Sequence, residues 1–142
     1  MELEGDIYRK VTRLSERGNK CMEAEEWDKA INIFDEALEL LPEPKNQWDA
    51  ALWLNASIGD ACFMKENFVR AKEALFDALN CPDGTANPFV LIRLGEVLFE
   101  LGDLERAKEY LLRAYMLEGK EIFEAEDPKY LAYLEEHFDL EE

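Results

Sequence analysis

GEVLFELGDLERAKEYLLRA, residues Gly95 to Ala114, decides the fold of this 142-residue chain. Its small residues stand at Gly95, Ala107 and Ala114, and the same three recur at the same separations as Gly59, Ala71 and Ala78, and as Gly18, Ala30 and Ala37. Successive glycines are 41 residues apart (59 − 18) and then 36 (95 − 59), so the unit is constant while the first linker is longer. A unit repeated at such a period is one supersecondary element that cannot bury its own apolar face; neighbours stack and leave a continuous concave surface. The spacing therefore predicts a helical repeat protein built for binding rather than for catalysis.

Working outward, each copy reads as a helical hairpin. Ile7, Val11, Leu14, Gly18 and Cys21 form the stripe of a first helix over 7–22, and Ala30, Ile33, Phe34, Ala37, Leu38 and Leu41 that of a second over 27–41. Pro42 and Pro44 stop it, and 41–47 is expected to be a loop. The second pair spans 48–65 and 68–79 and closes on Cys81-Pro82-Asp83-Gly84 and Asn87-Pro88; the third spans 88–101 and 104–117, broken at Gly102-Asp103. The glycine of each first helix and the alanines of each second are expected where the two helices cross, because a larger side chain would hold the axes apart. After Gly119, Asp127 and Pro128 signal a fresh helix start. Tyr130, Leu131, Leu134 and Phe138 give that last helix an apolar face, while Glu135, Glu136, Asp139, Glu141 and Glu142 turn to water, the pattern of a cap that seals an open solenoid end. The expected architecture is all-α: a right-handed superhelical solenoid of three hairpins (11–44, 52–85, 88–121) and a capping helix (128–138), forming one domain over 1–142.

The chain carries 33 acidic against 16 basic residues, a net charge of -17, with 48% apolar residues. That apolar share suffices for a packed core. The charge argues against nucleic-acid backbones and anionic lipid and favours a basic protein partner, although surplus Asp and Glu also serve simply to keep a helical protein soluble. No apolar run is long enough to span a bilayer, and Met1-Glu2-Leu3-Glu4 opens neither a basic start nor an apolar export segment, so a cytoplasmic protein is expected. Three cysteines without a C-x-x-C pair fit that compartment; Cys21 and Cys62 recur three residues after their glycines and are expected to be small buried packing residues.

The three units resemble the tetratricopeptide repeat, in which a small residue, two alanines, an aromatic or leucine between them and often a late proline recur at fixed positions. The first unit shows Gly18, Ala30, Phe34, Ala37 and Pro42; the second Gly59, Ala71, Leu75 and Ala78; the third Leu94-Gly95, Ala107, Leu111 and Ala114. The bulky residue three before the first alanine is Trp27, Phe68 and Leu104 in turn. The pattern departs at Asn55, where tryptophan or leucine is usual, and in the longer first linker. The resemblance implies protein or peptide binding, with a groove lined by the first helix of each hairpin. Carried over, the groove positions are Thr12, Ser15, Asn19, Met22 and Glu23; Trp53, Ala56, Asp60, Phe63 and Met64; Phe89, Ile92, Glu96, Phe99 and Glu100. Among them the expected partner-binding residues are Asn19, Trp53, Asp60, Phe63, Phe89, Glu96, Phe99 and Glu100. The rings would serve as anchors and the carboxylates as charge partners, while Phe63 and Phe99 have the alternative of packing into the next unit. Only Arg93 and Asn19 approach the residues that would clamp a partner's C-terminal carboxylate.

The stretch Ala114 to Phe123, followed by Glu126-Asp127-Pro128-Lys129-Tyr130, is also similar to small acidic repeat proteins encoded beside Rhs-type or contact-dependent polymorphic toxins, a group thought to act as immunity proteins. That likeness implies a basic toxin domain as partner; a generic adaptor or chaperone holding an extended peptide is the alternative. Catalysis finds no assembly of residues: His137 is the only histidine, Ser15 and Ser57 lack a base, and no metal-ligand spacing or phosphate-binding loop is present. No cofactor is expected.

Overall fold

Within each unit, a glycine-bearing first helix meets an alanine-bearing second at closest approach. A Cβ at Gly18 would fall 2.4 Å from the Phe34 ring, at Gly59 2.5 Å from Leu75, and at Gly95 2.8 Å from Leu111, all below a possible contact. Ala30, Ala37, Ala71, Ala78, Ala107 and Ala114 are fully buried. The crossing is thus keyed by glycine against the bulky residue midway between the alanines, with the alanines completing the close surface.

The computed structural model describes residues 3–140, all helix and turn, with no strand among them. The helices are α1 (Gly5–Glu23), α2 (Trp27–Glu39), α3 (Asp49–Met64), α4 (Phe68–Leu79), α5 (Pro88–Glu100), α6 (Leu104–Glu118) and α7 (Pro128–His137), with short 3-10 turns at Lys45–Gln47, Gly84–Ala86 and Gly119–Phe123. Hairpins α1–α2, α3–α4 and α5–α6 stack in order, α2 against α3 and α4 against α5, and α7 closes the far end against α6. The readings that fall on Met1, Glu2, Glu141 and Glu142 lie outside the described residues.

The turn inside each hairpin is the same structure three times. Glu26 N–H donates to Cys21 O at 2.8 Å, Asn67 to Cys62 O at 2.8 Å and Asp103 to Leu98 O at 2.9 Å, while the preceding residue donates to Met22, Phe63 or Phe99. This is the Schellman closure of a helix, which needs a left-handed residue. Gly102 supplies it at φ 84° in the third hairpin, but Glu25 (59°) and Glu66 (65°) occupy it in the first two. Asn67, Asn87, Asp103 and Asp127 then cap the N-termini of α4, α5, α6 and α7 through side-chain oxygens.

The longer first linker is pinned rather than loose. Lys45 Nζ donates to the carbonyls of Leu38, Glu39 and Leu41 at 3.2, 3.3 and 2.9 Å, covering the C-terminus of α2, and Trp48 Nε1 donates to Pro42 O at 2.8 Å. Cys21, Cys62 and Cys81 are all buried free thiols.

Candidate partner-binding face

The first helices α1, α3 and α5 line one face, and its polar centre is Arg93. Its position on α5 lets it reach both neighbours: Nη1 donates to Glu96 Oε1 at 2.7 Å and to Glu126 Oε1 at 2.8 Å, and Nη2 lies 2.9 Å from Asp60 Oδ1 on α3. The guanidinium also sits 4.4 Å from the centroid of the Phe63 ring and 5.3 Å from that of Phe89. One cation thus joins the second hairpin, the third hairpin and the segment leading to α7.

Three carboxylates on one guanidinium leave excess negative charge in a dry place. Burial pushes Glu96 up to about 9, helped by a hydrogen bond to Glu126, so it is neutral at pH 7. Two acceptor groups share a hydrogen bond only when one of them holds a proton, and Glu96 Oε2, which has no other partner, is the atom available to hold it. Burial also raises Asp60, outweighing Arg93. Arg93 itself stays charged: burial works against it, and the charges of Asp60 and Glu126 with the hydrogen bond to Glu96 outweigh that.

Three clefts open along this side. One of about 600 Å³ between α1 and α3 is walled by Leu3, Tyr8, Val11, Thr12, Trp48 and Trp53. A second, about 490 Å³, lies by Phe89, Ile92, Glu118, Glu121 and Glu126. The third, about 620 Å³, lies between α3, α5 and α7 and includes Phe63, Met64, Glu66, Phe68, Glu100, Asp127, Lys129 and Tyr130. Glu126 lines both of the last two, so its contact with Arg93 forms the ridge between them.

The structure sorts the eight expected residues into three groups. Asn19, Trp53 (43% exposed) and Phe89 (38%) are open to solvent. Asp60, Phe63 and Glu100 are half-buried and already engaged. Asp60 is held by Arg93, Phe63 lies under Arg93 and edge-on to Phe68 at 5.8 Å, and Glu100 accepts from the Tyr130 hydroxyl at 2.7 Å and meets Lys129 Nζ at 2.8 Å. Burial and that bond to Glu100 push the Tyr130 phenol upward. The third group departs from expectation. Glu96 is 0% exposed and neutral, so it is an internal part of the Arg93 cluster rather than a charge partner at the rim. Phe99 is packed edge-on against Tyr130 (5.4 Å) and Tyr133 (5.2 Å) of α7, which takes it out of the open groove.

The sequence reading missed Glu126 and Tyr8. The Arg93–Glu96 spacing of three on one helix was a legible sign of a pair; Glu126 follows a 3-10 turn, where no periodicity says which way it points.

Residues 90–121 match the family model of the tetratricopeptide repeat. The chain is a tetratricopeptide repeat protein. Its third hairpin carries that match, and its fold agrees with solved members across the other two. It is similar to the first such domain of Spaghetti (RPAP3) bound to an HSP90 peptide, at 22% identity and TM-score 0.69, covering 90% of each chain. It is also similar to PcrH in complex with the chaperone binding region of PopB, at 21% identity and TM-score 0.65, covering 94% of each chain. In sequence it is 34% identical over 110 residues to Protein unc-45 homolog B of Xenopus tropicalis. That match covers 76% of this chain and 11% of the relative's length. A tetratricopeptide repeat stack of this kind is a protein-interaction scaffold.

Proposed function

We propose that the protein binds a basic, partly apolar segment of another protein along its concave face, acting in the cytoplasm. The observation that carries this is the state of the face's charges. Arg93 is held by three carboxylates and Lys129 by Glu100, whereas Glu66, Glu118, Glu121 and Asp127 line the same clefts and Trp53 and Phe89 stand open beside them. A partner's C-terminal carboxylate would find its one buried guanidinium already occupied. Lysine or arginine flanked by apolar side chains would meet rings for burial and acids for register and encounter rate.

Two kinds of basic partner fit. The likeness to PcrH with its PopB segment favours an extended peptide, as in a chaperone or adaptor. The net charge of -17, together with the resemblance of 114–130 to polymorphic-toxin immunity proteins, favours a folded toxin domain blocked by coverage. A peptide array graded in charge and apolar content tests the shared reading. Retention should rise with lysine and arginine interleaved with leucine or aromatic residues and fall for Trp53→Ala and Phe89→Ala. Preferential retention of acidic C-terminal peptides would refute it. A toxin gene beside this one would choose the second kind of partner; a secretion operon would choose the first.

A further inference from the structure

The opposite side of the stack carries a polar feature that the concave face does not use. Asn55, on α3 where the repeat pattern calls for a large apolar residue, is only 6% exposed and forms no side-chain hydrogen bond among the described residues. It borders a notch of about 220 Å³ between α2, α3 and α4. Leu38, Ile58 and Ala74 form the apolar part of its wall, and Asp35, Glu73 and Asp77 its acidic part. The single cation there, Arg70, is engaged by Asp35 at 2.8 Å.

The Asn55 amide borders the acidic notch with no protein partner among the described residues, so its donor and acceptor are available to a ligand group there. The geometry points to this notch as a docking site for an arginine side chain of a protein partner on the outer face, distinct from the concave groove. Arginine fits better than lysine: a flat, weakly hydrated guanidinium can lie against Leu38, Ile58 and Ala74 while its five donors reach the Asn55 carbonyl and the carboxylates of Asp77 and Glu73. Burial, then the nearby Glu73 carboxylate, raises Asp77.

The test follows the Asn55 side-chain amide by nitrogen-15 NMR during titration with N-acetyl-arginine methylamide, with the lysine and glutamine analogues as comparators. The arginine compound should shift Asn55 and the backbone of Ala74 and Asp77 saturably, in the range of about 1–10 mM expected for a fragment. The lysine compound should bind several-fold more weakly and the glutamine compound not at all. Asn55→Leu should abolish the shifts at Ala74 and Asp77. Asp77→Asn, at an exposed residue that leaves the packing intact, should weaken them severalfold. Trp53→Ala should leave them unchanged, which separates this site from the concave groove. No saturable shift, equal binding of the lysine compound, or binding that survives Asn55→Leu would overturn the proposal.

Discussion

Arg93 shows how much one residue decides here. Its guanidinium satisfies carboxylates from three parts of the chain, so removing it strands Asp60, Glu96 and Glu126 together in a poorly solvated spot. Arg93→Met is expected to destabilise the fold by about 3–5 kcal/mol, read by chemical denaturation. Glu96→Gln should act in the opposite direction. With Glu96 raised to about 9, the folded protein holds a proton that the unfolded chain releases near the ordinary carboxylate value. Its contribution is therefore full at acid pH and is lost as pH rises through about 9. Glutamine keeps a donor for Glu126 without an ionisation to suppress, so the variant should be more stable than wild type by roughly 1–3 kcal/mol near neutrality. Its melting temperature should also fall less between pH 5 and 9. Parallel curves for the two proteins would show that Glu96 is not neutral in the fold. Nothing in composition signals this cluster: a glutamate at a groove position reads as a surface acid until its neighbours are known, and two of them lie on other elements.

At the scale of elements the sequence is far more legible, because periodicity and breakers act locally. Residues 68–79 form a helix as the spacing predicts, and the other helices fall within a few residues of expectation. The repeated Schellman turn escaped, since only the third hairpin displays the glycine that advertises it. Glu25 and Glu66 hold a left-handed backbone that costs an L-residue about 1 kcal/mol, so Glu25→Gly or Glu66→Gly should raise stability by roughly 0.5–1 kcal/mol. The same change at exposed Glu109, inside α6, should lower it by a similar amount. Equal effects at all three positions in thermal melts would contradict the shared turn. The last helix was legible as a cap from its face, and the structure adds its means of attachment. Leu134 is fully buried, Tyr130 and Tyr133 cover Phe99, and the Tyr133 hydroxyl donates to Leu104 O at 3.3 Å. Deleting 128–142 should therefore expose Phe99 and give aggregation or binding of a hydrophobic dye. A soluble truncation of wild-type stability would make this helix a partner-binding arm.

Over the whole molecule, spacing predicts the stack, but neither spacing nor net charge predicts which groove residues stay open. That depends on contacts between units. α7 removes Phe99 from the groove, and the Arg93 cluster removes Glu96, whereas Trp53 and Phe89, near the starts of their helices, remain exposed. Tyr8 joins Trp53 because α1 begins earlier than the repeat pattern requires. Charge and burial should then leave different signatures in binding. Reversing Glu118 and Glu121 to lysine should slow association and flatten its salt dependence, and truncating Trp53 should speed dissociation at every salt concentration, by about 2 kcal/mol. The most direct measurement uses a protein in which Trp27 and Trp48 are phenylalanine, so that Trp53 alone reports. Titration with a lysine- and leucine-rich peptide should shift its emission to the blue and saturate, with affinity falling steeply as salt rises; an unchanged spectrum, or a stronger response to an acidic peptide, would contradict the concave, basic-partner account.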